Sequence, residues 1–411
     1  MSQDGRPAWR RVGPAILLTA TSVGAGDILT GALAGAEAGA AVLWAVPVGV
    51  ILKWTLTEGI ARWQMATGET LLEGWRSRLG VWVPWAFLAY VFLFTLVTCA
   101  MLASACGLAM TAMLPLGSLS SSRLLWAAAH AVAGLVIVWF GGYHALKRLL
   151  AVCVGAMFFT IVCTAFLLDP DWQAVFSGLI PSMPAGSARW VIGLIGAVGG
   201  TMALVSYGYW IREEGRSGEQ GLRECRWDLL LSYSVIAVFG VAVVLIGSRL
   251  QVRGQGTELA LLLAAQLEKS FGRPGYWIFL SGFWSAVFSA LLGVWQSLPY
   301  LFADVVRLGR KQGQAGERVE RSRPYRLFLV FLATVPLLLV RWPVKELQLA
   351  FGLTGAMLLP VLTVTLLLMN NRRPWVGVQY QTPLALNLVL VAALVLFAYA
   401  GWVEAAPLLR R

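Results

Sequence analysis

The acid most out of place in this sequence is Asp27. It closes the segment Thr19-Ala20-Thr21-Ser22-Val23-Gly24-Ala25-Gly26-Asp27, inside an apolar run from Gly13 to Ala38. An ionisable group in hydrocarbon is costly and marks a functional position by default. Glycine and hydroxyl residues beside it point to an unwound turn, whose freed carbonyls and the carboxylate together form a hard, oxygen-rich cradle for a cation. The same aspartate also reads as a simple cap on a half-helix that begins at Ile28. A second break is expected in Gly199-Gly200-Thr201-Met202-Ala203-Leu204-Val205-Ser206-Tyr207-Gly208-Tyr209, which has hydroxyls but no charge. Backbone carbonyls near Gly24 and Ala203 would then bind, with Thr21, Ser206, Tyr207 and Gln296 as auxiliary contacts. The competing reading of the second segment is close helix packing through small residues.

Three further charges fall inside a span. Lys53 lies near its centre, where a cation costs roughly 2.5–3.5 kcal/mol on insertion scales, so it needs a partner, must become neutral or must snorkel. Asp27 is one candidate partner, and a Lys53–Asp27 pair would fill the place of a bound cation. Glu58 and Arg62 stand four apart on one helical face, which suits a structural pair better than a gate. Lys53, Glu58 and Arg62 are therefore coupling or gating candidates with a structural alternative. His130 and His144 are isolated from acids and from each other and read as packing residues.

The elements that must position these groups are membrane helices. Of 411 residues, 58% are hydrophobic and 13% charged, with a mean hydropathy of +0.73, outside the range of soluble domains. Apolar runs long enough to cross the bilayer fall near 13–38, 41–65, 82–112, 124–140, 148–168, 190–211, 229–248, 275–303, 326–341, 346–369 and 383–403. Lipid-exposed backbone must satisfy itself within each segment, so all are helices. The first and sixth spans carry the breaks, five spans apart, which is the pattern of an inverted repeat with a binding site at the midplane. The expected organisation is a segment 1–12, a five-helix repeat 13–168, a second, inverted repeat 190–369, and an eleventh helix with its tail over 383–411.

The net charge of +12 reflects topology rather than nucleic acid. With the N-terminus inside, about 20 Lys and Arg fall in inner segments and about 10 in outer ones. Arg307, Arg310, Lys311, Arg318, Arg321, Arg323 and Arg326 form the largest inner group. Arg6, Arg10 and Arg11 before the first run imitate a signal peptide, but the run is long and Glu37 precedes another span, which favours a retained helix. Trp44, Trp82, Trp126, Trp139, Trp190, Trp342 and Trp402 sit near span ends as interface anchors. Cys99, Cys106, Cys153, Cys163 and Cys225 have no framework or metal spacing. No phosphate loop, zinc pair or nucleophile elbow is present, so no enzyme activity and no cofactor are expected.

Residues Gly13-Pro14 through Gly39, Leu43-Trp44 and Arg62-Trp63-Gln64-Met65-Ala66-Thr67-Gly68 resemble the opening spans of the Nramp divalent-metal transporters. The Gly200-Thr201 break, Pro360 and Asn371-Arg372 fit the same resemblance. It implies a LeuT-like fold of two inverted five-helix repeats plus one helix, and alternating access. The family's metal-binding Asp-Pro-Gly-Asn falls on Gly24-Ala25-Gly26-Asp27, which moves the carboxylate to the family's asparagine position. Its Met-Pro-His falls on Ala203-Leu204-Val205, removing the thioether that favours transition metals, and its tenth-span glutamine falls near Gly352. The third span has no acid for the family's proton route. The expectation is a divalent-cation transporter of the bacterial cytoplasmic membrane, with the metal as substrate, the bilayer as its other partner and no nucleic acid. A hard ion such as Mg2+ suits the donors, with Mn2+ or Fe2+ less so. Transport of a small organic solute on the same fold, and a non-transporting sensor or assembly scaffold, are the alternatives.

Overall fold

A computed structural model describes residues 13–140, 143–168, 170–184, 186–249, 259–309, 319 and 322–409, and every regular element among them is helical. The helices are α1 (Gly13–Ser22), α2 (Ala25–Ala38), α3 (Ala45–Thr67), the single turn α4 (Leu71–Gly74), α5 (Val83–Met113), α6 (Leu119–Phe140), α7 (Tyr143–Leu167) and α8 (Trp172–Gly178). The chain continues through α9 (Ala188–Ala197), α10 (Thr201–Glu213), α11 (Gly218–Ser248), α12 (Leu259–Gly309), α13 (Arg323–Thr334), α14 (Val344–Asn370), α15 (Arg373–Val376) and α16 (Leu384–Leu409).

These elements follow the eleven apolar runs closely, with instructive differences. Seven helices among the described residues meet length and apolarity requirements for crossing a membrane, α9 and α10 together counting as one. Every 18-residue stretch of α3 contains Lys53, Glu58 and Arg62, so its composition alone understates it. The eighth span begins at Gly272, where a φ of +67° breaks α12, and runs to Gly309. The ninth is α13 continued by a 3-10 turn, Val335–Leu339, at Pro336. Arg6, Arg10, Arg11, Arg310, Lys311, Arg318, Arg321 and the His144 side chain lie outside the described residues.

Both expected breaks are present. α1 stops at Ser22 and α2 starts at Ala25 with Gly24 extended between them. α9 stops at Ala197 and α10 starts at Thr201, because Gly199 (φ +76°) and Gly200 (φ +50°) adopt left-handed backbone that a side chain would strain. The broken helices sit in a ring of close crossings. A Cβ on Gly35 would stand 2.2 Å from the Val244 carbonyl of α11, and one on Gly196 2.0 Å from the Gly352 carbonyl of α14. Trp82, Trp139, Trp342 and Trp402 are exposed as interface residues should be, but Trp44 and Trp190 are buried. Trp44 is held by its Nε1–H donating to the Ser182 carbonyl at 2.7 Å.

Candidate functional site

The two breaks touch through Asp27. Its Oδ1 accepts the Gly199 N–H at 3.0 Å, tying α2 to the turn between α9 and α10, and its Oδ2 accepts the Gly24 N–H at 3.3 Å. The aspartate is thus both cap and bridge. It caps from the third position of α2, which starts at Ala25 rather than at Ile28, and it reaches across the junction. The residue is 2% exposed, so an acid there depends on these donors for solvation.

Lys53 neither pairs with Asp27 nor snorkels. Among the described residues it makes no ion pair within 4.0 Å, and it is fully buried. It donates to the Gly196 carbonyl at 2.9 Å and to Thr201 Oγ1 at 3.4 Å, while the Thr201 hydroxyl donates to the same carbonyl at 2.9 Å. Gly196 is in the last turn of α9, where carbonyls lack intrahelical partners and carry the negative end of the helix dipole. Asp27 and Lys53 are close enough for each to feel the other's charge, and they stand on the two sides of the same break.

The auxiliary residues divide. Thr21 Oγ1 is buried without a partner among the described residues, at the crossing with α12 where a Cβ on Gly293 would lie 2.7 Å from it. Gly24 abuts Ala290 of α12, leaving no room for a side chain. Ala203 and Ser206 are buried in α10, the Ser206 hydroxyl also lacking a partner among the described residues. The Tyr207 hydroxyl is likewise buried without a hydrogen-bond partner among them, though it stands near Cys225, Arg216 and Asp228. Gln296 in α12 is partly exposed. Glu58 and Arg62 pair with each other, Arg226 Nε adds a bond to Glu58 Oε1 at 2.9 Å, and Arg62 donates to the Gln381 carbonyl at 3.1 Å. They lock the far end of α3 and lie apart from the break. His130 is a packing residue, with Nδ1 bonded to the Trp126 carbonyl at 2.7 Å and Nε2 accepting from Trp284 at 2.8 Å.

Sequence reasoning missed Ser22, Gly196 and Thr201. Ser22 Oγ is buried and unpartnered among the described residues, and a Cβ on Gly200 would stand 3.2 Å from it. The signal for Ser22 was its place at the end of α1; nothing local marked Gly196. Among the described residues no three His, Cys, Asp or Glu side chains gather to hold an ion. The junction offers one carboxylate, unpartnered hydroxyls and an ammonium.

The described fold matches solved transporters. A histidine-to-alanine mutant of the Eremococcus coleocola manganese transporter superposes with a TM-score of 0.71 at 16% identity, covering 99% of this chain and 89% of that one. The same transporter bound to an aromatic bis-isothiourea compound gives 0.71 at 17% identity, with 98% and 88% covered. MhsT in complex with L-phenylalanine gives 0.57 at 14% identity over 95% and 98% of the two chains. In sequence, the chain is 26% identical over 255 residues to a protein from Acidiphilium cryptum named divalent metal cation transporter MntH. That match spans 58% of this chain and only 55% of the relative's length. The profile of the natural resistance-associated macrophage protein-like (Nramp) proteins matches residues 15–403, nearly the whole of a chain built on the LeuT-like fold, and the chain belongs to that family.

Proposed function

We propose that this chain is a transporter that carries a divalent metal cation across the membrane by alternating access, with Asp27 as the charged contact. The observation that carries this reading is the Asp27 carboxylate at the meeting point of two interrupted helices, bonded to the backbone of both. Ser22, Thr21 and Ser206 add buried hydroxyls without partners, which suit a hard or partly hydrated ion. Manganese is the first ion to test, because relatives of this chain bear that name; magnesium rests on the oxygen donors alone. In this reading the repeats are 13–168 and 190–369, the N-terminus faces the cytoplasm of a bacterial inner membrane, and the chain is not an enzyme.

Lys53 favours a second reading, transport of a small organic solute. Its charge beside Asp27 leaves the junction close to neutral, which weakens a bare dication and suits a zwitterion.

The test is uptake into proteoliposomes holding a manganese- or magnesium-sensitive dye, native chain against Asp27→Asn at equal reconstitution. The expected outcome is saturable influx that falls at least about tenfold in the variant, equivalent to about 1.4 kcal/mol. Absence of influx of either metal from folded protein moves the assignment to an organic solute or to a non-transporting scaffold.

A further inference from the structure

Lys53 is fully buried, and its hydrogens go to oxygens rather than to a counter-charge. Two donors of the kind that coordinate hard cations, a helix-terminal carbonyl and a threonine hydroxyl, converge on its Nζ at 2.9 and 3.4 Å. The Thr201 hydroxyl is oriented by its own bond to Gly196, so its lone pairs are free to face the ammonium. Asp27 supplies a negative charge near by without contacting it. The side chain also packs against the break itself, its Cδ lying 3.5 Å from where a Cβ on Gly199 would be. Around it α9 contributes Gly196, α10 contributes Thr201, α2 contributes Asp27, and α11 contributes Tyr233, whose hydroxyl is bonded to Thr57 at 2.8 Å. Carbonyl, hydroxyl and a carboxylate field, at the C-terminal end of a half-helix, are the elements of a monovalent cation site.

We infer that Lys53 is a tethered cation. Its ammonium permanently fills an oxygen-lined position beside Asp27 that would otherwise take a dissolved sodium or potassium ion, so the fold stands and cycles without a monovalent metal co-ion. The inference rests on reading the junction as the transport site, but it concerns a position distinct from the one proposed for the substrate. Lysine is suited to the role because its compact ammonium carries three donors on a flexible stem.

The experiment is thermal unfolding of the purified full chain in sodium, potassium and choline chloride at equal ionic strength. It compares the native protein with Lys53→Met and with Lys53→Met combined with Thr201→Val. The native midpoint should be the same in all three salts. Lys53→Met should melt lower in choline and regain several degrees, saturably, in sodium or potassium. The double variant should lose most of that gain, because one donor is gone. A native midpoint that rises in sodium over choline overturns the proposal, as does a folded Lys53→Met indifferent to all three salts. If Lys53→Met folds only when sodium or potassium is present during purification, the proposal stands; if neither salt recovers it, the proposal fails. Because the readout is unfolding rather than uptake, it is independent of which substrate is carried.

Discussion

Gly352 of α14 has no room to be anything else. A Cβ there would stand 2.5 Å from the Gly193 carbonyl and 2.9 Å from its Cα, and backbone cannot step aside as a flexible side chain can. The resemblance puts the family's tenth-span glutamine near this position, where α9 leaves no space for it. Restoring that residue by Gly352→Gln should therefore destabilise the chain by about 3 kcal/mol, the upper range for overpacking, read as a lower unfolding midpoint and reduced monodisperse yield. A midpoint equal to the native one would mean that α9 and α14 part more easily than their packing indicates. At this scale the sequence was partly legible. An acid such as Asp27 in an apolar run has few reasons to exist, so its place at the break could be read directly. The oxygen that a buried lysine finds could not, because Gly196 is 143 residues away from Lys53 and resembles every other packing glycine.

At the element scale, a charge network ties spans together around α4. This turn starts with a reciprocal cap, Glu73 N–H donating to Thr70 Oγ1 at 3.3 Å and Thr70 N–H to Glu73 Oε2 at 2.8 Å. So fixed, Glu73 receives Arg212 of α10 at 2.6 Å and Arg307 of α12 at 3.2 Å. Arg307 also reaches Asp304 at 2.7 Å, and Asp304 accepts the Tyr209 hydroxyl at 2.6 Å. One carboxylate between spans therefore holds three elements together. Burial pushes the Glu73 carboxyl up, but the Arg212 and Thr70 hydrogen bonds and the two guanidinium charges outweigh it and hold it below the usual carboxylate range. A depressed value in the folded chain means that this contribution is complete above the ordinary glutamate value and is lost as pH falls through the lower folded one. Stability owed to Glu73 should thus be flat from neutral pH down to about 4.5 and decline below it. Glu73→Gln should remove that acid limb and lower the neutral-pH midpoint modestly, as suits a partly exposed network. An acid limb unchanged in the variant would assign it to another group. The helix breaks behind this network were legible because glycine pairs and hydroxyls interrupt apolar runs. The network was not, since Glu73, Arg212 and Arg307 look alone like ordinary loop charges.

For the whole molecule, eleven crossings with the N-terminus inside, as proposed, would place the two chain ends on opposite sides of the bilayer, and the excess of Lys and Arg in alternate connections supports that orientation. A tag after Arg411 should be cleaved by protease added outside intact spheroplasts, and one before Met1 only after lysis; the reverse pattern would invert the assignment. Overall architecture was the most legible level, because hydrocarbon admits few solutions for backbone and each span announces itself by length. Composition fell short in α3, with its three charges, and in spans whose described apolar pieces are too short to count singly, such as α1, α7 and α13. The contact between α9 and α14 has a mechanical consequence. Gly193 and Gly196 press backbone to backbone on Gly352, and Gly355 stands so close that a Cβ would meet the Gly196 carbonyl at 2.8 Å. Backbone carbonyls and the small Ala356 methyl make the closest approaches, so sliding one helix along the other would drive carbonyls into Cα atoms. If the chain works by alternating access as proposed, the pair should move as a single lever, with the flexure at the left-handed joint of Gly199 and Gly200.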